Sequence, residues 1–406
     1  MKYVIFILDG SSDYPIEELG DKTPLQAAET PNIDKLAEKG FGGFTNNVPE
    51  GYTPGSDVAN MSIFGYNPAD FYTGRGPLEA GSVGIKTTPC DVIFRCNTIC
   101  EKDNTMFDFN AGHITSEEAA VLIDDLNEYF NEKYDDFKGK FYCGISYRHL
   151  FVYSCDNKED ALKLANLQTT PPHDISGEDL SNYTDWDDDL AIEIKNIMYE
   201  SCEVLKNHEI NRKRISNDKI PANMVWLWGQ GVTPELPDFY ETYGLTGSVI
   251  TGVDLLKGIG IFAGLDVIEV PGATGFFDTD YEAKGKYGIE ALKNHDLLFI
   301  HIESPDEAGH AQLIDEKIKA IERIDEYIVG PIIDSLKNTD FKVAVLPDHP
   351  TPIAVGTHTR DDVPLIIYSS DKKGDESTSF DEEGVMNGSI EKKEGYKLLS
   401  RLINEF

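Results

Sequence analysis

Asp306-Glu307-Ala308-Gly309-His310 sets a carboxylate and an imidazole four residues apart. On a helix or a tight turn, that spacing lets both side chains face one point. Asp348-His349 follows an apolar run, and His358 lies nine residues beyond His349. These acids and imidazoles offer oxygen and nitrogen donors without thiolate. Such a set suits Mn²⁺ or Zn²⁺, and Mg²⁺ less well. His301 sits just upstream inside an apolar run. It reads either as a support for the ligands or as a packed core residue.

A second group lies near the N-terminus. Tyr52-Thr53-Pro54-Gly55-Ser56-Asp57-Val58 joins a Gly/Pro turn to a helical pattern. Ser56 there could cap the helix. The same place suits a nucleophile, because a helix N-terminus offers amide donors to a phosphate. A bound metal would overcome the high pKa of a serine hydroxyl. Two cations about 4 Å apart stabilise both the attacking and the leaving oxygen of an in-line displacement. Asp9, Ser56, Asp348 and His349 on one ion, with Asp306, His310 and His358 on the other, make a coherent site.

The elements that must position these groups are strands buried on both faces. Residues 4–8 form a continuous apolar run ending at Asp9-Gly10. That pattern fits a parallel sheet, whose carboxyl edge is where ligands bind. A helix is expected after Pro31 and stops at Gly40. Later, strands are expected at 247–250, 267–270, 297–302, 343–346 and 364–368, with helices at 254–265 and 311–336. Residues 90–237 lack this strand-and-ligand rhythm and contain an acidic tract at 176–189. They read as a domain inserted into a discontinuous one made of 1–89 and 238–406. The fold class is α/β: a doubly wound sheet domain with a smaller inserted α/β or α+β domain. A charged loop is expected at 372–383.

Composition excludes several functions. The formal charge is -36, from 36 basic and 72 acidic residues. Affinity for nucleic acid or an anionic membrane surface rests on neutralising phosphates, so neither is an expected partner. A small anionic substrate needs locally concentrated cations, which bound metals can provide. The six cysteines form no Cys-x-x-Cys pair, which excludes zinc-ribbon and thioredoxin-type sites. Reduced thiols in a cytoplasmic protein are expected. The opening apolar run is too short for a signal peptide, and no stretch is long enough for a membrane span. A P-loop and a G-x-S-x-G elbow are absent, and the glycines around 258–264 have the wrong spacing for a dinucleotide loop.

Together these segments resemble the archaeal-type cofactor-independent phosphoglycerate mutases of the alkaline phosphatase superfamily. The resemblance rests on the strand with Asp9-Gly10, Thr30-Pro31-Asn32-Ile33-Asp34, the Ser56 segment and Gly74-Arg75-Gly76-Pro77-Leu78-Glu79. It extends through Pro305-Asp306-Glu307-Ala308-Gly309-His310, Asp348-His349-Pro350 and Thr357-His358-Thr359. It implies an alkaline-phosphatase-like domain with an insert that binds substrate and closes over the site. It implies two divalent metal ions, no bisphosphoglycerate, and a phosphoserine at Ser56. The reaction it implies interconverts 3-phosphoglycerate and 2-phosphoglycerate.

One stretch departs from the family. Where its mutases carry D-R-R-A-G-R, this chain has Asp108-Phe109-Asn110-Ala111-Gly112-His113. Where a leucine-rich R-G-A-G segment is usual, it has Trp226-Leu227-Trp228-Gly229-Gln230-Gly231. Asn and Gln cannot supply the bidentate charge of arginine. The substrate-binding candidates that remain are Arg75, Arg95, Arg148, His149, His173, Asp174 and Lys257. The pattern is similar to a bacterial branch proposed to act as homoserine kinase. Transfer to homoserine and metal-dependent phosphomonoester hydrolysis are therefore the alternative expectations.

Overall fold

The computed structural model describes residues 1–375 and 377–406. Two strands, β1 (Lys2–Leu8) and β2 (Phe41–Thr45), precede an insertion that carries β3 (Asp91–Lys102), β4 (Thr105–Asp108), β5 (Gly139–Tyr142), β6 (Arg148–Ser154) and β7 (Met224–Val232). After it come β8 (Gly247–Ile250), β9 (Asp266–Val267), β10 (Leu297–Ile302), β11 (Phe341–Leu346) and β12 (Val363–Ser369). The chain divides into two compact units. One is Met1–Tyr72 with Glu235–Phe406, and the other is Thr73–Pro234. The second unit begins at Thr73 rather than at position 90, because the helix Arg75–Ser82 packs on β3 and β7.

The first unit is built on a seven-stranded sheet in the order β2-β12-β11-β1-β10-β8-β9. β1 runs parallel to both neighbours, with Ile7 level with His301 on β10 and with Leu346 on β11. β1, β10 and β11 are almost wholly buried, which explains their unbroken apolar runs. Val4, Phe6 and Leu8 pack with Ile300, Ile321, Ile324 and Ile328 on one face. On the opposite face, Phe64 stacks on Phe299 with ring centroids 4.1 Å apart. Helices thus cover both faces of this doubly wound α/β sheet. β12 and β2 are antiparallel additions at one edge.

The expected helix at 311–336 is present as one continuous run from Ile314 to Ser335, widened at one turn. A helix Ser304–His310 ends in a turn, Ile314–Ile324 follows, and a wide turn at Asp325–Val329 leads into Gly330–Ser335. The Asp325 carboxylate accepts from the backbone N–H groups of Asn32 and Ile33, satisfying the start of the helix Pro31–Lys39. The strand expected at 267–270 shrinks to the two-residue β9, at the sheet edge. The expected loop at 372–383 holds no strand or helix among its described residues; Glu376 lies outside them.

The second unit has a five-stranded sheet, with β3 antiparallel to β4, β6 and β7. Its core includes Phe94, Cys96, Phe151 and Trp226, with Leu122 and Leu126 from the helix Ser116–Lys133 and Ile194 and Met198 from the helix Asp189–Leu205.

One buried ion pair braces the ligand edge of the first unit. Lys317 Nζ donates to Asp13 Oδ2 at 2.7 Å, both side chains fully buried, and to the Thr351 carbonyl at 2.9 Å. Asp13 also accepts from the Ile353 N–H. The loop after β1, the helix Ile314–Ile324 and the segment after β11 are thereby joined. Lys317→Met leaves Asp13 as an unpaired buried charge, so a loss of about 3–5 kcal/mol is expected. Denaturant unfolding measures it, and a loss under 1 kcal/mol would show the brace to be dispensable.

Candidate active site

Because β10, β1 and β11 are parallel, their carboxyl ends open on one edge of the sheet. Asp9 follows β1, Asp348 and His349 follow β11, and His301 is the last residue but one of β10. Asp9, His301, Asp348 and His349 are each at most 1 % exposed. The loop between β1 and the next turn is made by Gly10, at φ +60°. A Cβ there would lie 2.5 Å from Asp306 Oδ1 and 2.6 Å from Thr351 Oγ1. Glycine is what lets the β1 loop and the Asp306 helix approach so closely.

Ser56 is the first residue of the helix Ser56–Ile63, after Gly55 at the cap position, and it makes no capping hydrogen bond. Its Oγ lies 3.2 Å from His349 Nε2. Asn60, one turn on, donates its amide to the Ser56 carbonyl at 2.8 Å and to Asp348 Oδ2 at 2.7 Å. Asp348 Oδ1 accepts from the Gly10 and His349 N–H groups. The serine helix and the β11 loop are therefore locked together through one carboxylate.

A second knot surrounds Asp306. Its Oδ2 lies 3.2 Å from His310 Nε2, and its Oδ1 lies 3.4 Å from His358 Nε2. The two Nε2 atoms are 2.9 Å apart. His310 Nδ1 faces the Gly356 carbonyl, and His358 Nδ1 faces the Pro54 carbonyl. A carbonyl only accepts, so each Nδ1 carries the proton. Both Nε2 lone pairs then converge beside the carboxylate, an arrangement that a cation satisfies. Thr351 Oγ1 donates to Asp306 Oδ1, and it lies 3.4 Å from His349 Nδ1.

Without a cation, protons on these groups neutralise part of the charge that an ion would otherwise balance. Burial first, and then Asp348 and Asp306, raise the Asp9 pKa well above the carboxylate range. Burial would also raise Asp306, but hydrogen bonds to His310 and His358 hold it well below that range. Asp306 in turn lifts His310 to about 9. Burial lowers His349, and it brings His301 down to about 4. Burial followed by Asp306 and Glu307 raises Glu303 to about 8.

The donors fit two divalent cations. Both Asp9 oxygens and His301 Nε2 are buried without a hydrogen-bond partner. Asp9, His301 and Asp348 bring ligand atoms within 4.8 Å of one another, and so do Asp306, His349 and His358. His349 stands between the groups, with Nε2 3.6 Å from Asp9 Oδ1 and 3.5 Å from Asp348 Oδ2. Asp9, Ser56, Asp306, His310, Asp348, His349 and His358 are thus drawn together within the first unit. Asn60 and Thr351 were not singled out from sequence. Asn60's spacing of four from Ser56 was the available signal.

The substrate-binding candidates scatter. Lys257, in the first unit, is paired with Glu269. In the second unit, Arg95 Nε pairs with Glu79 at 3.1 Å, and its guanidinium lies 4.2 Å from the Trp228 ring centre. Burial lowers the Arg95 pKa; Glu79 opposes that, and Arg75 and Arg148 add to it. Arg148 pairs with Asn97 across β3 and β6, so it shares the Arg95 face of the sheet. His149 pairs with Cys96 on the opposite, core face, where burial lowers it to about 4. His173 and Asp174 are half-exposed, 3.7 Å apart, with His173 edge-on to Trp228.

Comparison with known proteins gives one consistent answer. A family described as 2,3-bisphosphoglycerate-independent phosphoglycerate mutase matches residues 37–211. The chain is 50% identical over 406 residues to the enzyme of that name from Methanosarcina acetivorans, covering 99% of this chain and 100% of the relative. It is 48% identical over 404 residues to the second such enzyme of Methanothermobacter thermautotrophicus, covering 100% and 98%. A solved structure from Pyrococcus horikoshii superposes with a TM-score of 0.84 at 30% identity, covering 99% of this chain and 96% of that one.

Gly10→Ala tests the close approach at the site. It forces a Cβ into Asp306 and strains the backbone, so a loss of about 1–3 kcal/mol and weaker Mn²⁺ binding are expected. Thermal unfolding with and without Mn²⁺ reads both. An unchanged midpoint under both conditions would contradict the geometry.

Proposed function

The chain belongs to the 2,3-bisphosphoglycerate-independent phosphoglycerate mutase family, and from that membership we propose that it interconverts 3-phosphoglycerate and 2-phosphoglycerate through a phosphoserine at Ser56. The observation that carries this reading is Ser56 Oγ at the start of a helix, 3.2 Å from His349 and beside the carboxylate cluster. Ser56 Oγ gives up its proton and attacks phosphorus in line, and the bond from phosphorus to the 3-oxygen breaks. The 3-oxygen takes up a proton as glycerate forms. The 2-hydroxyl then loses its proton and attacks phosphorus, the bond from phosphorus to Ser56 Oγ breaks, and Oγ takes a proton back. Mn²⁺ or Zn²⁺, with Mg²⁺ as a weaker fit, supplies positive charge that lowers the serine's pKa and neutralises the phosphoryl oxygens.

This chain's own groups do the rest. Asp9, Asp348 and His349 would hold one ion, and Asp306, His310 and His358 the other. The first N–H groups of the serine helix would meet the phosphoryl oxygens. The Arg75, Arg95 and Arg148 group would bind the anionic glycerate moiety; the repulsion that Arg75 and Arg148 exert on Arg95, a mark of their closeness, supports this. On this reading the second unit is the substrate-binding domain. Relatives at 48% and 50% identity named as mutases favour isomerisation over transfer to homoserine or hydrolysis. The cysteines Cys90, Cys96, Cys100, Cys143, Cys155 and Cys202 are all unpaired, which supports a cytoplasmic setting.

The test is an enolase-coupled assay with 3-phosphoglycerate, Mn²⁺ and no bisphosphoglycerate. Wild-type protein should turn over, and Ser56→Ala should lose at least about a thousandfold in kcat. Turnover by Ser56→Ala within tenfold of wild type would defeat the phosphoserine route. Arg148→Ala removes a charged contact worth about 1.5–3 kcal/mol, so KM should rise roughly tenfold to a hundredfold. A KM equal to wild type would remove Arg148 from the substrate site.

A further inference from the structure

The Asp9 and Asp348 end of the site contains one more imidazole than the ligand set named above. His301 is fully buried on β10, level with Ile7 of β1. Its Nδ1 lies 3.2 Å from Thr251 Oγ1, just beyond the end of β8. The same hydroxyl accepts from the Val253 N–H at 3.0 Å. A threonine oxygen has two lone pairs, so it can accept from Val253 and from His301 Nδ1–H together. That tautomer leaves Nε2 as a bare lone pair.

Nε2 points into the cluster. It is 2.9 Å from Asp9 Oδ2, yet the two atoms make no hydrogen bond of acceptable geometry. Both Asp9 oxygens are likewise buried and without a hydrogen-bond partner. Ligand atoms of Asp9, His301 and Asp348 lie within 4.8 Å of one another, all on fully buried residues. A buried nitrogen lone pair beside two carboxylates is unfavourable unless something positive lies between them. The misaligned 2.9 Å contact argues against a simple donor role for His301 toward Asp9.

We propose that His301 ligates, through Nε2, the divalent cation held by Asp9 and Asp348, and that Thr251 fixes its tautomer by accepting the Nδ1 proton. The proposal rests on the metal-dependent reading of the site. It also bears on which ion is used. With His301 and His349 both near this position, nitrogen donors favour Mn²⁺ or Zn²⁺ over Mg²⁺, which prefers oxygen. Thr251 is the positioning residue; it touches no ion.

Two measurements test it. Zinc-loaded protein with nitrogen-labelled histidine rings is examined by long-range nitrogen–proton correlation, which reads bound ring nitrogens directly. Four coordinated imidazoles are expected, those of His301, His310, His349 and His358; only three, with His301 unmoved, overturns the proposal. Equilibrium dialysis with Mn²⁺ and with Mg²⁺, followed by elemental analysis, compares wild type, His301→Gln and Thr251→Val. Wild type should hold two ions. His301→Gln should lose at least about tenfold in Mn²⁺ affinity at one site and much less for Mg²⁺. Thr251→Val keeps the imidazole and should lose roughly tenfold, within the range for a ligand's supporting partner. If wild type binds no ion, the metal-dependent reading falls and the proposal with it. If wild type binds two and both variants match it, only the role of His301 falls. Three ions per wild-type chain would overturn the shared site by giving His301 a cation of its own.

Discussion

Three carboxylates buried at one sheet edge set the terms for everything else in the first unit. Asp9, Asp306 and Asp348 are 0%, 4% and 1% exposed. Removing a carboxylate from water is costly unless charge or hydrogen bonds replace the lost hydration. Asp348 is served by Gly10, His349 and Asn60, and Asp306 by Thr351 and two imidazoles. Asp9 has no such donor, and burial with its acidic neighbours pushes its pKa up. No lysine or arginine within ion-pair distance answers these three acids among the described residues. The chain has concentrated anionic charge where only a cation can balance it, and a phosphoryl substrate needs that same positive charge.

The rest of the unit reads as the means of holding that charge in place. Parallel β10, β1 and β11 deliver three ligand segments to one edge. Gly10 removes the side chain that would keep the Asp306 helix away. The Lys317–Asp13 pair then ties the loops after β1 and β11 to the helix behind them. Glu382 extends the brace by accepting from Ser12, Asp13 and Thr23. Lys284 is fully buried too, and its Nζ donates to the His301 carbonyl at 3.3 Å. Rigid support of this kind is what a two-cation displacement requires, since a misplacement of about 1 Å can cost a hundredfold in rate.

Much of this was legible in the sequence, for identifiable reasons. A strand buried on both faces announces itself as an unbroken apolar run, so Asp9 and Asp348 could be placed at a sheet edge from pattern alone. The Asp306–His310 spacing signalled a shared helix face, and Ser56 followed a turn. His301 was harder, because it lies inside an apolar run and looks like a core residue until Thr251 and Asp9 are seen on either side. The widened turn at Asp325–Val329 was not legible, and neither was the distant use of Asp325, which serves the backbone of Asn32 and Ile33. The start of the second unit at Thr73 was also missed, since only packing assigns the helix Arg75–Ser82 to β3 and β7.

The stretch that departs from the family shows how the same charge can be rebuilt from other positions. Asn110 and Gln230 stand in the segments where arginines are usual, and both side chains make local hydrogen bonds. Asn110 Oδ1 accepts from the His113 N–H. Gln230 donates to the Ala165 and Leu167 carbonyls and accepts from Thr169 Oγ1. These bonds hold the local chain in place. The positive charge lies on Arg95 and on Arg148 one register step away, on the face of β3 and β6 opposite the core, with Arg75 acting on the same guanidinium. Trp228, inside one of the departing segments, lies under Arg95 at 4.2 Å, and Glu79 fixes the Nε edge. The Trp228 ring and one carboxylate hold the guanidinium, a group whose chemistry suits bidentate recognition of a carboxylate or phosphate. Departure from the arginine-rich motif thus leaves this unit with positive charge at other positions.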